Sequence, residues 1–558
     1  MRRSPLWCLL VCLLAPVAAR ADKRPMKFED LAAFQRVADP QISPDGRQMA
    51  YQVTTVDLPG NKTTTNIWVA AVDGKSPPRR LTTSTKADRH PRWSADGSRI
   101  LFESTRSGDS QLWVIDLGGG EARQLTTIST GASNGIWAPD GKTVAFVSAV
   151  YPEYSEKPFA ESDKLNKERL EKAEKGPVKA RIFTRLFFRH WDEYVEDKRQ
   201  HLFVVNADGG EPHDATPGDR DAYPTSTTFS VGDDFTFSPD GTHLVFTAVP
   251  EKNEAWSTNH DLCRVSVTNT SPKWETLTKD NPAADGSPRF SRDGKKLAWR
   301  AQKRAGYEAD KWDILVADCK PDGSPSGHPT NLTASRDVSV NEFAWGAGDK
   351  LCFVADDGGA TSLFHTTSAG QVGDGISYRS RTGGVAARQG QISSLTASHA
   401  GDVWVHSFAR MTQPPEVVGV RFTGPDEHGL TETLGGVSPQ NRVLLDQLDR
   451  PRPESVEVPV EGGVKMQMWV LRPPGFDEKK KWPVAYLVHG GPQGAWEDGW
   501  SNRWNPSLWA AQGYVVVLPN PRGSTGFGQK FVDQISGDWG GKCYRDLVKG
   551  LDYVESLP

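Results

Sequence analysis

The chain has 558 residues, of which 37% are hydrophobic and 24% charged, with a formal net charge of -4. That length is more than one hydrophobic core organises, so two or more domains are expected. The near-neutral balance excludes a strongly basic protein and gives no electrostatic reason to expect nucleic acid or an anionic membrane as partner. The 19 tryptophans favour a β-rich protein, because aromatic side chains fit pleated, half-buried surfaces.

The N-terminus reads as a signal peptide over residues 1–21. Arg2 and Arg3 supply the positive region, Leu6 to Val17 the apolar region, and Ala19-Arg20-Ala21 a cleavage site before Asp22. The apolar run falls short of the ~20 residues a spanning helix needs, so an uncleaved anchor is the weaker alternative. Val11 before Cys12 is bulky where lipid attachment wants a small residue. A periplasmic or secreted protein with no membrane contact after cleavage is expected. Outside this segment Cys263, Cys319, Cys352 and Cys543 are scattered. None has the Cys/His spacing of a zinc site, and no metal or cofactor is expected. Export permits one disulfide among the first three of them.

From there to about residue 440 one phrase recurs: Ser-Pro-Asp-Gly or a variant, a few polar residues, then an apolar or alternating strand. It appears as ISPDGRQMAYQV, WSADGSRILFES, WAPDGKTVAFVS, FSPDGTHLVFTA, FSRDGKKLAWRA, WGAGDKLCFVAD and SHAGDVWVHSFA, around Asp45, Asp96, Asp140, Asp240, Asp293, Asp349 and Asp402. Asp-Gly makes the tight turn, glycine taking the positive φ that other residues resist. A second strand phrase, such as QLWVIDLGGGEARQLT, closes the unit. Four short strands repeated at a spacing of roughly fifty residues describe a seven-bladed β-propeller over residues 22–440.

Between Asp140 and Asp240 the spacing doubles, placing an insertion at about 151–200. SDKLNKERLEKAEK within it has the charge pattern of an exposed helix. The aromatic and basic run after it contains His190, Trp191, Asp192 and Glu193. Insertions in repeat folds tend to emerge on the binding face, which makes these residues candidates for substrate contact. An extended hairpin with a solvated acidic edge is the structural alternative.

Past residue 440 the pattern changes. SVEVPV and VKMQMWVLRP read as a strand pair around Gly462-Gly463, followed by the apolar strands PVAYLV and YVVVLPN. WNPSLWAAQ lies between those two strands as a helix, and a closing helix presents Tyr544, Leu547, Leu551 and Val554 at helical spacing. Buried strands alternating with helices indicate a mainly parallel α/β sheet over 441–558.

Propeller phrases followed in order by LVHGGP, PNPRGSTGFG and GDWGGKCYRDLVKGLDYV make the chain resemble the prolyl oligopeptidase family, and within it the acylaminoacyl-peptidase and dipeptidyl-peptidase 5 branch. The resemblance implies that 441–558 is the N-terminal part of an α/β-hydrolase domain. It implies that the backbone N–H of Gly491 in the HGGP turn helps hold the oxyanion, and that Arg522, Gly523 and Gly526 shape the loop beside the site. A fixed donor there stabilises the charge of acyl transfer, at about 3–4 kcal/mol of barrier.

The family's nucleophile is a serine on a strand-to-helix elbow, with Asp and His later in the chain. No such serine is found before Pro558, so the chain is expected to contain no catalytic triad residue and no peptidase activity of its own. Gly131-Ala132-Ser133-Asn134-Gly135 matches G-x-S-x-G but lies between propeller strands and reads as a turn, and Ser524 and Ser556 lack the elbow as well. Two readings follow: the front part of a secreted serine exopeptidase acting on short peptides, with Asp192 or Glu193 meeting a free substrate amine, or a non-catalytic periplasmic propeller with a binding or scaffold role. The segment from Ser455 onward separates them, since a pure scaffold has no use for it.

Overall fold

The computed structural model describes residues 23–557, apart from 184–185, 187, 191–192, 195–196, 225–233, 249–253, 368–371, 374–377, 380–389, 423–430 and 437–438. The leader segment therefore lies outside the described residues, as do Trp191 and Asp192.

Each turn phrase opens a β-hairpin. In the first, the Ser43 hydroxyl donates to Asp45 Oδ1 at 2.6 Å while its oxygen accepts the Gln48 N–H at 2.9 Å. Ser94, Ser238 and Ser291 repeat this clip on Asp96, Asp240 and Asp293. The adjoining glycines Gly46, Gly97, Gly241 and Gly294 take φ between 70° and 72°. The Ser94 hydroxyl and the Ser98 N–H bring the Asp96 carboxyl down to about 2. Where serine is missing, at Trp345-Gly346, the turn closes through Gly346 N–H to Lys350 O at 2.9 Å.

These hairpins build successive antiparallel sheets, whose innermost strands are Arg36–Ile42, Asp88–Trp93, Ser133–Trp137, Phe235–Phe237, Asp285–Phe290, Val340–Trp345 and Gln391–Ala397. Each sheet has four strands except the last, where Tyr378–Arg379 adds in parallel to the edge strand Thr431–Gly436. Indole N–H groups tie neighbours together: Trp93 donates to Gln41 O, Trp137 to Arg92 O and Trp345 to Arg289 O, at 2.9–3.1 Å. Six of these innermost strands, all but Phe235–Phe237, line a channel of about 650 Å³. Five of them break register there around a residue of positive φ: Asp39, His90, Asn134, Ser287 and Ser394.

First and last sheets share one core. Val37, Met49 and Tyr51 pack with Val403, Val405 and Val417, and the Ile42 N–H donates to Thr396 Oγ1 and the His399 N–H to Pro44 O. The insertion leaves from Thr143–Val150 and returns in Arg199–Asn206, which pair with each other. Its helix, Phe159–Lys175, carries Lys164–Glu168 and Glu171–Lys175 ion pairs at i,i+4, matching the charge pattern of the sequence. Cys263, Cys319, Cys352 and Cys543 are all free thiols, so the disulfide that export permits is not formed.

The C-terminal sheet has the order Pro453–Pro459, Lys465–Leu471, Val515–Asn520, Val484–Tyr486. Only the last pair is parallel, which corrects the expectation of a mainly parallel sheet. The hairpin at Gly462-Gly463 brings Lys465–Leu471 in antiparallel, and this strand, not a crossover strand, borders Val515–Asn520. The closing helix spans Lys542–Glu555. It buries Asp546, Gly550 and Val554 and leaves Tyr544 62% exposed, so Tyr544 is not on the core face that its spacing suggested.

Because Gly97 sits at φ 71°, Gly97→Ala is expected to cost about 1–2 kcal/mol of stability, the penalty of a left-handed residue with a Cβ. Urea denaturation of the two proteins measures it, and equal midpoints would refute the turn assignment.

Candidate functional site

Strand Val484–Tyr486 runs parallel beside Val515–Asn520, and Leu487 N–H extends the ladder to Val517 O at 2.9 Å. Both strands therefore end on the same side, delivering His489-Gly490-Gly491-Pro492 and Pro521-Arg522-Gly523-Ser524 next to each other. Gly491 has φ 137°, and a Cβ there would lie 2.7 Å from Gln493 N. Only glycine fits this turn. Gly491 is exposed, and among the described residues its N–H meets no acceptor, so a backbone donor stands open to whatever enters.

The turn is fixed from behind. His489 Nε2 lies 3.0 Å from Ser524 Oγ and His489 Nδ1 2.8 Å from Gly490 O. Ser524 Oγ also lies 2.7 Å from Pro521 O, so its single proton serves His489 Nε2 or that carbonyl, one at a time. Ser524 is fully buried and stands in a loop, so this Ser–His contact clamps two loops together. Burial holds His489 below the usual imidazole range, which keeps the ring neutral. The sequence reading assigned His489 to the glycine turn but gave it no partner.

A second clamp holds the neighbouring loop. Arg522 donates through Nε to Asp546 Oδ2 at 2.8 Å and through Nη2 to Asp546 Oδ1 at 2.6 Å, and its backbone N–H reaches Asp546 Oδ2 at 3.0 Å. The side chains are 4% and 0% exposed. Arg522 thus shapes the loop as the resemblance implied. Asp546 was missed, because an acidic residue inside a helical pattern reads as solvated unless its partner is known.

The propeller sheets cover these loops. Gly358 N–H donates to Gly526 O at 2.9 Å, Asp498 N–H to Gly359 O at 2.8 Å and Gln529 N–H to Asp337 Oδ1 at 2.9 Å. A cleft of about 200 Å³ between the two parts is lined by Glu308, Asp337, Gln493, Thr525 and Gln529.

Of the remaining sequence candidates, Trp191 and Asp192 lie outside the described residues. His190 and Glu193 lie in the two-residue strands Arg189–His190 and Glu193–Tyr194, which pair with each other. Ser133, Asn134 and Gly135 lie in an innermost propeller strand, which corrects the turn expected there, and no helix follows it to make an elbow. Among the described residues no group of three or more His, Cys, Asp or Glu side chains is arranged to hold a metal.

The fold is thus a β-propeller followed by an α/β unit, with an open backbone donor on the glycine turn where the two meet. Comparison with known proteins is specific. Residues 26–164 match the TolB beta propeller domain and residues 500–557 the Prolyl oligopeptidase family. Dipeptidyl-peptidase 5 of Porphyromonas gingivalis is 32% identical over 539 residues, covering 94% of this chain and 72% of that protein. Its counterpart in Porphyromonas endodontalis is 28% identical, with 97% and 73% covered. In fold, acylaminoacyl peptidase of Pyrococcus horikoshii superposes with a TM-score of 0.70 at 17% identity, over 96% of this chain and 72% of that one. The chain belongs to the prolyl oligopeptidase family, a family of serine peptidases.

Removing one partner of a buried ion pair strands the other, at a cost of about 3–5 kcal/mol. Asp546→Ala is therefore expected to lower the unfolding free energy by that amount. A loss below about 1 kcal/mol, the ceiling of a typical exposed pair, would show that the Arg522 clamp is dispensable.

Proposed function

We propose that this chain is the propeller and the front of the hydrolase domain of a secreted serine exopeptidase that releases short fragments from peptides through an acyl-enzyme. The observation that carries this reading is the unengaged Gly491 N–H on a rigid glycine turn. In acyl transfer the substrate carbonyl oxygen takes on negative charge as the serine attacks, and a donor held in place stabilises it without reorganising. The kinship with dipeptidyl-peptidase 5 supports exopeptidase action, of the dipeptidyl or the acylaminoacyl type. No cofactor enters the scheme.

In this reading residues 1–21 are a leader removed on export, 22–440 form one propeller and 441–558 belong to the hydrolase. The successive sheets and the shared core of the first and last support seven blades. On the same reading the chain holds none of the catalytic Ser, Asp and His, and the 558-residue polypeptide is expected to be inactive. What speaks for it is that Ser524 is buried and Ser133 opens a strand, so neither stands on an elbow.

Asp192 and Glu193 remain the proposed contacts for a free substrate amine, a carboxylate being the natural partner of an ammonium group. The whole enzyme carrying Glu193→Ala is expected to show a raised KM for free-amine substrates with kcat unchanged. Unaltered kinetics would remove the residue from the site.

A fluorophosphonate probe is expected to leave the 558-residue chain unlabelled. Labelling at a single serine within it would overturn the assignment of the triad. N-terminal sequencing of the exported protein is expected to begin at Asp22, and a start at Met1 would refute the leader.

A further inference from the structure

The propeller channel has two unlike mouths. At one, the innermost strands begin beside the hydrolase. Gln391, which opens Gln391–Ala397, donates through Nε2 to Glu497 Oε2 at 3.0 Å, and Asp337, just ahead of Val340–Trp345, accepts the Gln529 N–H at 2.9 Å. At the other mouth the strands end and the turn phrases gather. An innermost strand of this length spans roughly 20 Å, so the second mouth lies far from the Gly491 turn.

Arg292 stands in that second mouth. It belongs to the turn after Asp285–Phe290 of the fifth sheet, and its Nη2 donates to Ala397 O of the seventh sheet at 2.7 Å. The side chain thus reaches past the sixth sheet, lining the channel and staying exposed to it. Among the described residues Arg292 has no ion-pair partner, and its Nε and Nη1 have no acceptor.

Other charged groups along the channel are engaged. Arg92 donates through Nη1 to both oxygens of Asp39, at 3.1 and 3.0 Å, and Gln41 Nε2 donates to Asp39 Oδ1 at 2.8 Å. His90 Nδ1 lies 3.9 Å from Asp39 Oδ2. Glu342 Oε2 accepts the Leu395 N–H at 3.3 Å, and Arg289 donates through Nη1 to Pro288 O at 3.1 Å. Arg92, Arg289 and Arg292 against Asp39 and Glu342 leave the lining with a surplus of positive charge. His399, two residues beyond Ala397, lines the same mouth. Partial burial and then the Arg292 charge hold its ring below the usual imidazole range.

Aromatic side chains wall this positive mouth. Trp93, Trp137 and Trp345 give their indole N–H groups to carbonyls of the neighbouring sheet, which leaves ring surface to line the channel. An unpaired guanidinium beside apolar rings matches what the end of a peptide presents, a carboxylate next to a side chain. The channel volume of about 650 Å³ is that of an ordinary small-ligand site.

We propose that this mouth binds the C-terminal carboxylate of a short peptide, with Arg292 as its ion-pair partner and the aromatic wall taking the terminal side chain. An inorganic anion satisfies the guanidinium but makes no use of the rings, which is why a peptide is the assigned ligand. The site is separate from the Gly491 turn and holds whether or not that turn serves an oxyanion.

Calorimetric titration of the 558-residue chain with acetyl-Ala-Phe tests this without turnover. The blocked amine removes any contact with Glu193, so failure of the exopeptidase reading leaves the result intact. Replacing the peptide carboxylate by an amide is expected to weaken binding about tenfold or more, the scale of a lost charge-assisted hydrogen bond. Arg292→Gln is expected to weaken it equally, and Arg292→Lys, which keeps the charge, to weaken it less. In the wild type the His399 ring, its NMR signal identified by its loss in His399→Gln, is expected to titrate at higher pH with peptide bound, because the carboxylate offsets the Arg292 charge. That measurement decides alone should Arg292→Gln fail to fold. Equal binding of acid and amide, full affinity in folded Arg292→Gln, or a His399 titration that the peptide leaves unmoved would each overturn the proposal. Inorganic phosphate displacing the peptide at equal concentration would overturn it too, by assigning the mouth to a free anion.

Discussion

Every strand sheet in the N-terminal part is apolar on both faces, and none can bury both alone. That constraint sets the architecture: each sheet needs a neighbour on either side, and the first and last must find each other. They do so through side chains, Val37, Met49 and Tyr51 against Val403, Val405 and Val417, with no strand exchanged between them. The indole-to-carbonyl bonds of Trp93, Trp137 and Trp345 set the angle between successive sheets nearer the channel. A repeated tryptophan thus does two things, filling the gap and fixing its width.

The glycine turn inherits its rigidity from this frame. A turn with an open N–H is useful only if it does not collapse onto the nearest acceptor, and its own residues have little to prevent that. His489–Ser524 and Arg522–Asp546 brace it from within the hydrolase, and the sixth and seventh sheets brace it from across the contact. Preorganisation here is spread over residues that never meet a substrate. That is the usual cost of holding a donor still in water.

What the sequence made legible follows from range. The turn phrases are local: serine, aspartate and glycine within four positions contain all the atoms of the clip, and so the repeat, the hairpins and the exposed insertion helix could be read directly. The Gly491 turn was readable for the same reason, since two glycines after an apolar strand leave few alternatives. Asp546 was not readable. It is an ordinary acidic residue in its own window and becomes unusual only beside a partner 24 positions away. Tyr544 failed differently: its spacing fits a core face, but the helix rotates to bury Asp546 against Arg522, and an ion pair outweighs one aromatic contact. The amine-contact candidates Asp192 and Glu193 rest on the placement of the insertion alone.

The insertion joins the third sheet between two strands that remain paired residue for residue, from Thr143 opposite Asn206 to Val150 opposite Arg199. The ladder is therefore indifferent to what is spliced in at its end, and lengthening an already long excursion adds only a slowly growing entropic cost. Selection can rewrite that segment without breaking a bond of this ladder, provided the ties of Asp163 to Ser129 and of Ser155 to Gly218 are kept or replaced. The segment's length and composition can change while the third sheet keeps its own ladder.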